Sequence, residues 1–267
     1  MNITDRATAQ QIIGSFTATG ATAPKALIAA HERTTRLSEG VRGLSTPPEA
    51  IFAAVAAAIE RGDDPAADAE VQRILTSTQI QNAGVMAGVD DLAFDGFREA
   101  CTAHTDAIIA AWRKPFDAAA AVLADAHQRL GNVGLEDTST IIAKGADAAD
   151  VWAKATAAVK VIEAIRHGWL GLVGITRAVP DDRNYTVLRI AAIDHPTWTA
   201  QQFHGRKVGA WDAVLAGLTL ALPTPAEYKQ RVAVITQGTQ QAATEREEDE
   251  RAYLTGRRPA DREATIL

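Results

Sequence analysis

The chain has 267 residues, a formal net charge of -6 at pH 7 and 47% hydrophobic residues, of which few are aromatic. This length allows a hydrophobic core without help from disulfides or structural metal, and the single cysteine, Cys101, excludes an intramolecular disulfide and a multi-cysteine metal site. The acidic balance disfavours nucleic acid and anionic membranes as partners, because binding to either needs a basic surface.

Neither a membrane anchor nor an export signal is expected. The longest apolar stretch, residues 213–222, is far shorter than the roughly 20 residues of a membrane helix. The first six residues are polar and lack the apolar centre of a secretory signal. We therefore expect a cytoplasmic protein, or a virion protein if the chain comes from a phage.

Residues 1–88 are predicted to form an N-terminal helical region. Apolar side chains recur at spacings of three and four in four segments that are separated by turn residues. In the third segment, Ile51, Phe52, Val55 and Ile59 define the apolar face. The region therefore predicts four short helices, each with one buried stripe.

Residues 89–170 are predicted to form a long antiparallel helical hairpin. Its first arm shows a heptad-like seam that continues to Gly131, and its second arm repeats the same spacing. Pro115 is expected to kink or split the first arm, because it removes the hydrogen bond to Ala111. The seam residues that are candidates for an interface are Phe94, Phe97, His104, Ile108, Trp112, Phe116, Leu123, Trp152 and Trp169.

Residues 171–240 are predicted to contain a β-element followed by C-terminal helices. Gly168, Gly171 and Gly174 are expected to break the helical pattern. Two β-prone runs, 172–177 and 185–190, flank a turn-rich stretch at 180–184, which predicts a small β-hairpin. Residues 241–267 are polar and highly charged and are expected to form a tail.

Two groups of residues are candidates for a chemical site, and the first contains Cys101, His104 and Asp106. Cys101 and His104 lie one helical turn apart, but both fall on the apolar seam, so we interpret them as a buried thiol and a core histidine. The second group is an alternative pocket in the irregular segment near the β-element, formed by Asp194, His195, Trp198, His204, Trp211 and Asp212. Its spacing matches no known metal signature, so no metal or cofactor is expected.

Together these patterns predict a mainly α protein: an elongated multi-helix bundle with a long central helical hairpin and a small β-hairpin element in its C-terminal half. We expect a structural or assembly protein that acts through helix–helix contacts, with itself as a homo-oligomer or with other assembly proteins. A component of a phage or prophage virion fits this description. The alternative is a helical enzyme, or a protein that binds a small ligand or a metal, with its pocket around Asp194, His195 and His204. A heptad pattern does not decide whether the seam closes within one chain or between chains.

Overall fold

The computed structural model describes residues 3–44, 47, 49–180 and 183–254. In this part of the chain the protein is mainly α, as predicted, and no residue lies in a β-strand. The α-helices are α1 (Ile3–Thr19), α2 (Lys25–Gly43), α3 (Ala50–Arg61), α4 (Ala69–Asn82), α5 (Val85–Ala103), α6 (Thr105–Leu130), α7 (Thr138–Ala143), α8 (Ala146–Thr176), α9 (His195–Ala200), α10 (Ala210–Leu215) and α11 (Pro225–Leu254). A 3-10 helix spans Arg183–Arg189.

The chain packs as two compact units. Unit 1 contains Met1–Trp112 and His167–Ala178, and unit 2 contains Arg113–Arg166 and Val179–Leu267. The first unit therefore includes α1 to α5, and the second includes α7 and α9 to α11. The predicted division of the chain into four regions, with boundaries at residues 88, 170 and 240, remains a prediction.

In unit 1, α2 packs along α5. The apolar part of this contact includes Leu27 and Phe97, which are fully buried. Two hydroxyl groups add polar links between the helices. Thr34 Oγ1 donates to the carbonyl oxygen of Ala93 at 2.9 Å, and Ser38 Oγ donates to Asp90 at 2.7 Å. Buried hydroxyls with such partners avoid the cost of an unsatisfied polar group.

The expectation that three glycines end the helix was wrong, since α8 continues through all of them to Thr176. Gly168 and Gly171 instead lie where α1 approaches closely. A Cβ at Gly168 would lie 2.7 Å from Ser15 Cβ, and one at Gly171 would lie 3.1 Å from Ile12 Cγ1. Glycine at these positions lets the two helices pack closely. This packing outweighs the roughly 1 kcal/mol by which glycine is less favourable than alanine inside a helix.

The predicted long helix is interrupted at His104 and not at Pro115. His104 has φ -117° and ψ 18°, which lies outside the helical region and separates α5 from α6. Helix α6 runs through Pro115. The adjacent side chains of Trp112 and Phe116 are fully buried, and burial worth about 1.5–3 kcal/mol for each offsets the roughly 3 kcal/mol that an internal proline costs.

The predicted β-hairpin is not present among the described residues. Its first run forms the end of α8, and its second overlaps the 3-10 helix. Residues 181 and 182 of its turn lie outside the described residues. An isolated antiparallel bridge, Ala191 to Leu220, is the β-pairing observed. The β-branched side chains of Val173 and Ile175 are buried on a helix, so tertiary packing overrides their strand propensity.

In unit 2, side chains from helices donate hydrogen bonds to carbonyl groups of loops and of the 3-10 helix. Trp152 Nε1 donates to the carbonyl oxygen of Leu135 at 2.8 Å. Arg231 Nη1 donates to the carbonyl oxygens of Leu188 and Ala221 at 2.9 and 3.1 Å. These bonds satisfy the carbonyl groups of two loop residues, Leu135 and Ala221, and of Leu188 in the last turn of the 3-10 helix.

Helix α11 is packed over its first half, up to Gly238, and mostly solvated beyond it. Tyr228 and Ile235 are buried, whereas no described residue after Ile235 is. The charged run at 245–251 is therefore the exposed continuation of a helix, and residues 255–267 of the predicted tail lie outside the described part.

Candidate functional site

The seam that the sequence offered as an interface is packed within the chain. Phe94 is 8% exposed, His104 and Trp152 are half-buried, and the other six side chains are at most 1% exposed: Phe97, Ile108, Trp112, Phe116, Leu123 and Trp169. Seven of the nine side chains are therefore buried in the folded chain. The seven buried ones offer little exposed surface to a second chain, and the interface at the seam stays a prediction.

Cys101 is a buried thiol. Its side chain has no exposure, and burial raises its pKa to about 12. The thiolate, which is the reactive form, is correspondingly rare at neutral pH. His104 lies at the break between α5 and α6, where its backbone N–H donates to the carbonyl oxygen of Ala100 at 3.1 Å. The geometry gives this pair a structural role.

Both aspartates of the alternative pocket stabilise the first turn of a helix, Asp194 as the N-cap of α9 and Asp212 as the third residue of α10. Asp194 accepts the backbone N–H of Thr197 at 2.9 Å at the start of α9, and hydrogen bonds from Thr197 lower its pKa. Asp212 accepts the backbone N–H of Gly209 at 3.0 Å at the start of α10. Capping of this kind is the common role of aspartate at a helix N-terminus.

The aromatic residues of the alternative pocket form two separate contacts. The Tyr185 ring lies 5.4 Å from Trp198 and 6.3 Å from His204, centroid to centroid. Trp211 instead donates from Nε1 to the carbonyl oxygen of Val133 at 3.0 Å and is 6% exposed. His195 packs against Gly238, where an added Cβ would lie 2.6 Å from His195 Cβ. Among the described residues, no group of three or more histidine, cysteine, aspartate or glutamate side chains could hold a metal ion.

The most unusual surface of unit 1 is helix α3. Residues 50–59 contain no polar side chain, and of these only Ala58 is buried. Phe52 is 74% exposed and Ile59 is 61% exposed. With the exposed Ala53 and Ala56 they form a stripe at i, i+1, i+4 and i+7, which we call the α3 face.

Acidic residues surround the α3 face. Residues 49–73 contain six acidic residues, two arginines and no lysine, so they account for -4 of the net charge of -6. Both arginines are already engaged in ion pairs. Arg61 lies 3.0 Å from Asp63 and 2.6 Å from Asp68, and Arg73 lies 2.6 Å from Glu70. Among the described side chains, the exposed Glu49, Glu60 and Asp64 have no ion pair.

The sequence contains the signal for the α3 face, although the periodicity of this segment predicts a buried stripe. Phe52 and Ile59 were assigned to the apolar side of the third helix, yet the structure exposes both. A helix that is apolar all round presents apolar side chains on more than one face. The run of ten apolar residues therefore indicates a helix with apolar side chains on two faces, of which one packs on its own chain and the other is available to a partner.

Comparison with known proteins gives no relative: no family model, no curated protein and no solved structure matches this chain. Within the described residues, no helix combines the length and the apolar character that crossing a bilayer requires. The surface of the chain itself is therefore what indicates a function.

Proposed function

We propose that this protein is a structural or assembly protein that works through helix–helix contacts with other protein chains. The observation that supports the proposal is the α3 face. Contiguous exposed apolar surface is uncommon on soluble monomers and marks sites of interaction. Because most side chains of the central seam are buried, we place the proposed contact on α3 and not on residues 89–170.

The size of the α3 face suits a contact that is repeated in an assembly. Helix α3 has 12 residues and is therefore about 18 Å long. Covering Phe52 and Ile59 is worth roughly 1.5–3 kcal/mol each, or about 3–6 kcal/mol together, which matches only the low end of the roughly 4–15 kcal/mol that bringing two proteins together costs, so opposite charges on the partner must contribute to a single contact. Such a contact becomes strong when many copies are held in one particle.

The setting we propose is a particle such as a phage or prophage virion, or an intermediate in its assembly, with the chain in the cytoplasm or in the virion. Composition supports this setting, because alanine-rich helices dominate the chain. Beyond the mainly α fold, we propose that the helices form an elongated bundle with a central helical hairpin. A groove in unit 2 that is lined by both Ala126 of α6 and Val151 of α8 supports the pairing of its two arms.

The size of the chain's native complex tests this proposal. We would express the tagged chain in its native host and measure the mass of the species that contains it by size-exclusion chromatography with light scattering. Wild type should elute in a complex heavier than the monomer, and Phe52→Ser should shift the chain to monomer mass. Ile142→Ser is the matched control, because Ile142 of α7 is 71% exposed and lies outside the α3 face. A monomer for wild type, or an equal effect of both variants, would refute the proposal.

A further inference from the structure

We propose that the α3 face binds a basic amphipathic helix from a different protein, and not a second copy of this chain. This inference rests on the proposed function, since it names the partner of the same surface. It requires a partner with apolar side chains on one face and lysine or arginine near both ends of the contact.

The apolar spacing defines the first property of the partner. Phe52, Ala56 and Ile59 lie at i, i+4 and i+7, so they face one side of α3. Two large side chains therefore flank the small side chain of Ala56, which lets a partner backbone approach between them. An amphipathic helix with anchors at i, i+4 and i+7 complements such a surface.

The charges define the second property. Glu49 lies just before α3 and Glu60 lies near its end, so acidic groups stand at both ends of the stripe, about 16 Å apart along the axis. Asp64 adds a further exposed acid beyond the C-terminal end. Lysine or arginine side chains placed about three turns apart on a partner helix would meet both ends.

The same charges disfavour a second copy in either orientation. In an antiparallel pair, Glu49 of one chain would meet Glu60 of the other. In a parallel pair, each acid would meet its own equivalent. Arg61 does not relieve this repulsion, because Asp63 and Asp68 already bind its guanidinium group. Like charges brought together across an interface oppose association, whereas opposite charges steer it.

The first test uses two synthetic helical probes of about 18 residues. One contains leucine on one face and lysine elsewhere, and the other has glutamate in place of lysine. Each carries a fluorescent label and is titrated with the full chain while anisotropy is measured. The leucine/lysine probe should bind about tenfold or more tightly than the leucine/glutamate probe, and Phe52→Ser should weaken it about tenfold or more. Ile142→Ser should leave the affinity within about twofold.

A charge-matched pair of variants separates the α3 face from general acidity. Glu49→Lys with Glu60→Lys should weaken binding of the leucine/lysine probe by about tenfold. Glu247→Lys with Glu248→Lys makes the same change of charge on the exposed part of α11 and should weaken it far less. An equal loss in both variants, or no binding by wild type, would overturn the inference.

Sedimentation velocity of the purified chain distinguishes this inference from the proposed function. Monomeric wild type is the expected result across the accessible concentration range. Self-association that Phe52→Ser abolishes would identify a second copy as the occupant, which overturns the inference and leaves the proposed function standing. If Phe52→Ser changes neither the native complex nor the binding of the probe, both proposals fail.

Discussion

Adding one methyl group at Gly168 should destabilise unit 1. The Gly168→Ala substitution would place a Cβ 2.7 Å from Ser15 Cβ and 2.9 Å from Trp112 Cζ2, with Ser15 Oγ closer still. These distances are well below carbon–carbon contact, and neither neighbour can yield easily. Ser15 Cβ is bonded to the backbone of α1, and the Trp112 side chain is fully buried.

The size of the effect follows from two opposing contributions. Replacing a helical glycine with alanine stabilises by about 1 kcal/mol, whereas overpacking a core costs about 1–3 kcal/mol and more when backbone must move. We expect a net loss of about 2 kcal/mol, which corresponds to a decrease in Tm of about 4–8 °C for a protein of this size. Thermal unfolding followed by circular dichroism at 222 nm measures this change.

Gly174 provides the matched control on the same helix. No atom lies within 4 Å of a Cβ built at Gly174, so Gly174→Ala should raise Tm by a few degrees. A second substitution, Ser15→Gly, should recover part of the loss caused by Gly168→Ala, because it removes one of the colliding atoms. If Gly168→Ala raised Tm by as much as we expect for Gly174→Ala, this result would contradict the close approach of α1 to α8.

Three further predictions concern other residues. Gly238→Ala should lower Tm by about 4–8 °C, because the new Cβ would lie 2.6 Å from His195 Cβ; an unchanged Tm would argue against the packing of α9 on α11. Burial lowers the pKa of His31 from 6.5, and its Nδ1 has no hydrogen-bond partner among the described residues. The unfolded chain therefore binds more protons than the folded chain as pH falls below 6.5, so the free energy of unfolding should decrease from that pH downward. Urea titrations across this range should show a flatter decrease for His31→Gln, and identical slopes would exclude the effect. Cys101, whose pKa burial raises to about 12, should react with a thiol reagent at about pH 8 much more slowly in the folded than in the urea-unfolded chain; equal rates would contradict its burial.

Periodicity predicted the helices and the seam because burial of an apolar stripe is a local consequence of helix geometry. Phe97, Ile108 and Leu123 were identified as one seam and are all fully buried. Spacing alone does not decide whether such a seam closes within one chain or between chains, because intramolecular and intermolecular helix packing use the same spacing.

The errors of the sequence interpretation have a common physical origin. Pro115 and Gly168 have poor helix propensities, yet both lie inside helices because packing outweighs propensity at these positions. The runs that include Val173 and Val187 suggested strands, yet they lie in helices for the same reason. Phe52 was missed as a surface residue because an apolar side chain was assumed to be buried.

Site-specific photo-crosslinking tests the claim that the α3 face binds another protein chain most directly. Benzoylphenylalanine at position 52 keeps the phenylalanine ring and adds a benzoyl group, for which the 74% exposed side chain leaves room, and on irradiation it reacts with C–H groups that lie against it. In the native host, irradiation should convert the chain into one discrete species of higher mass when the photoreactive residue is at position 52, and into none when it is at position 142. No adduct at position 52, or the same adducts at both positions, would contradict the account.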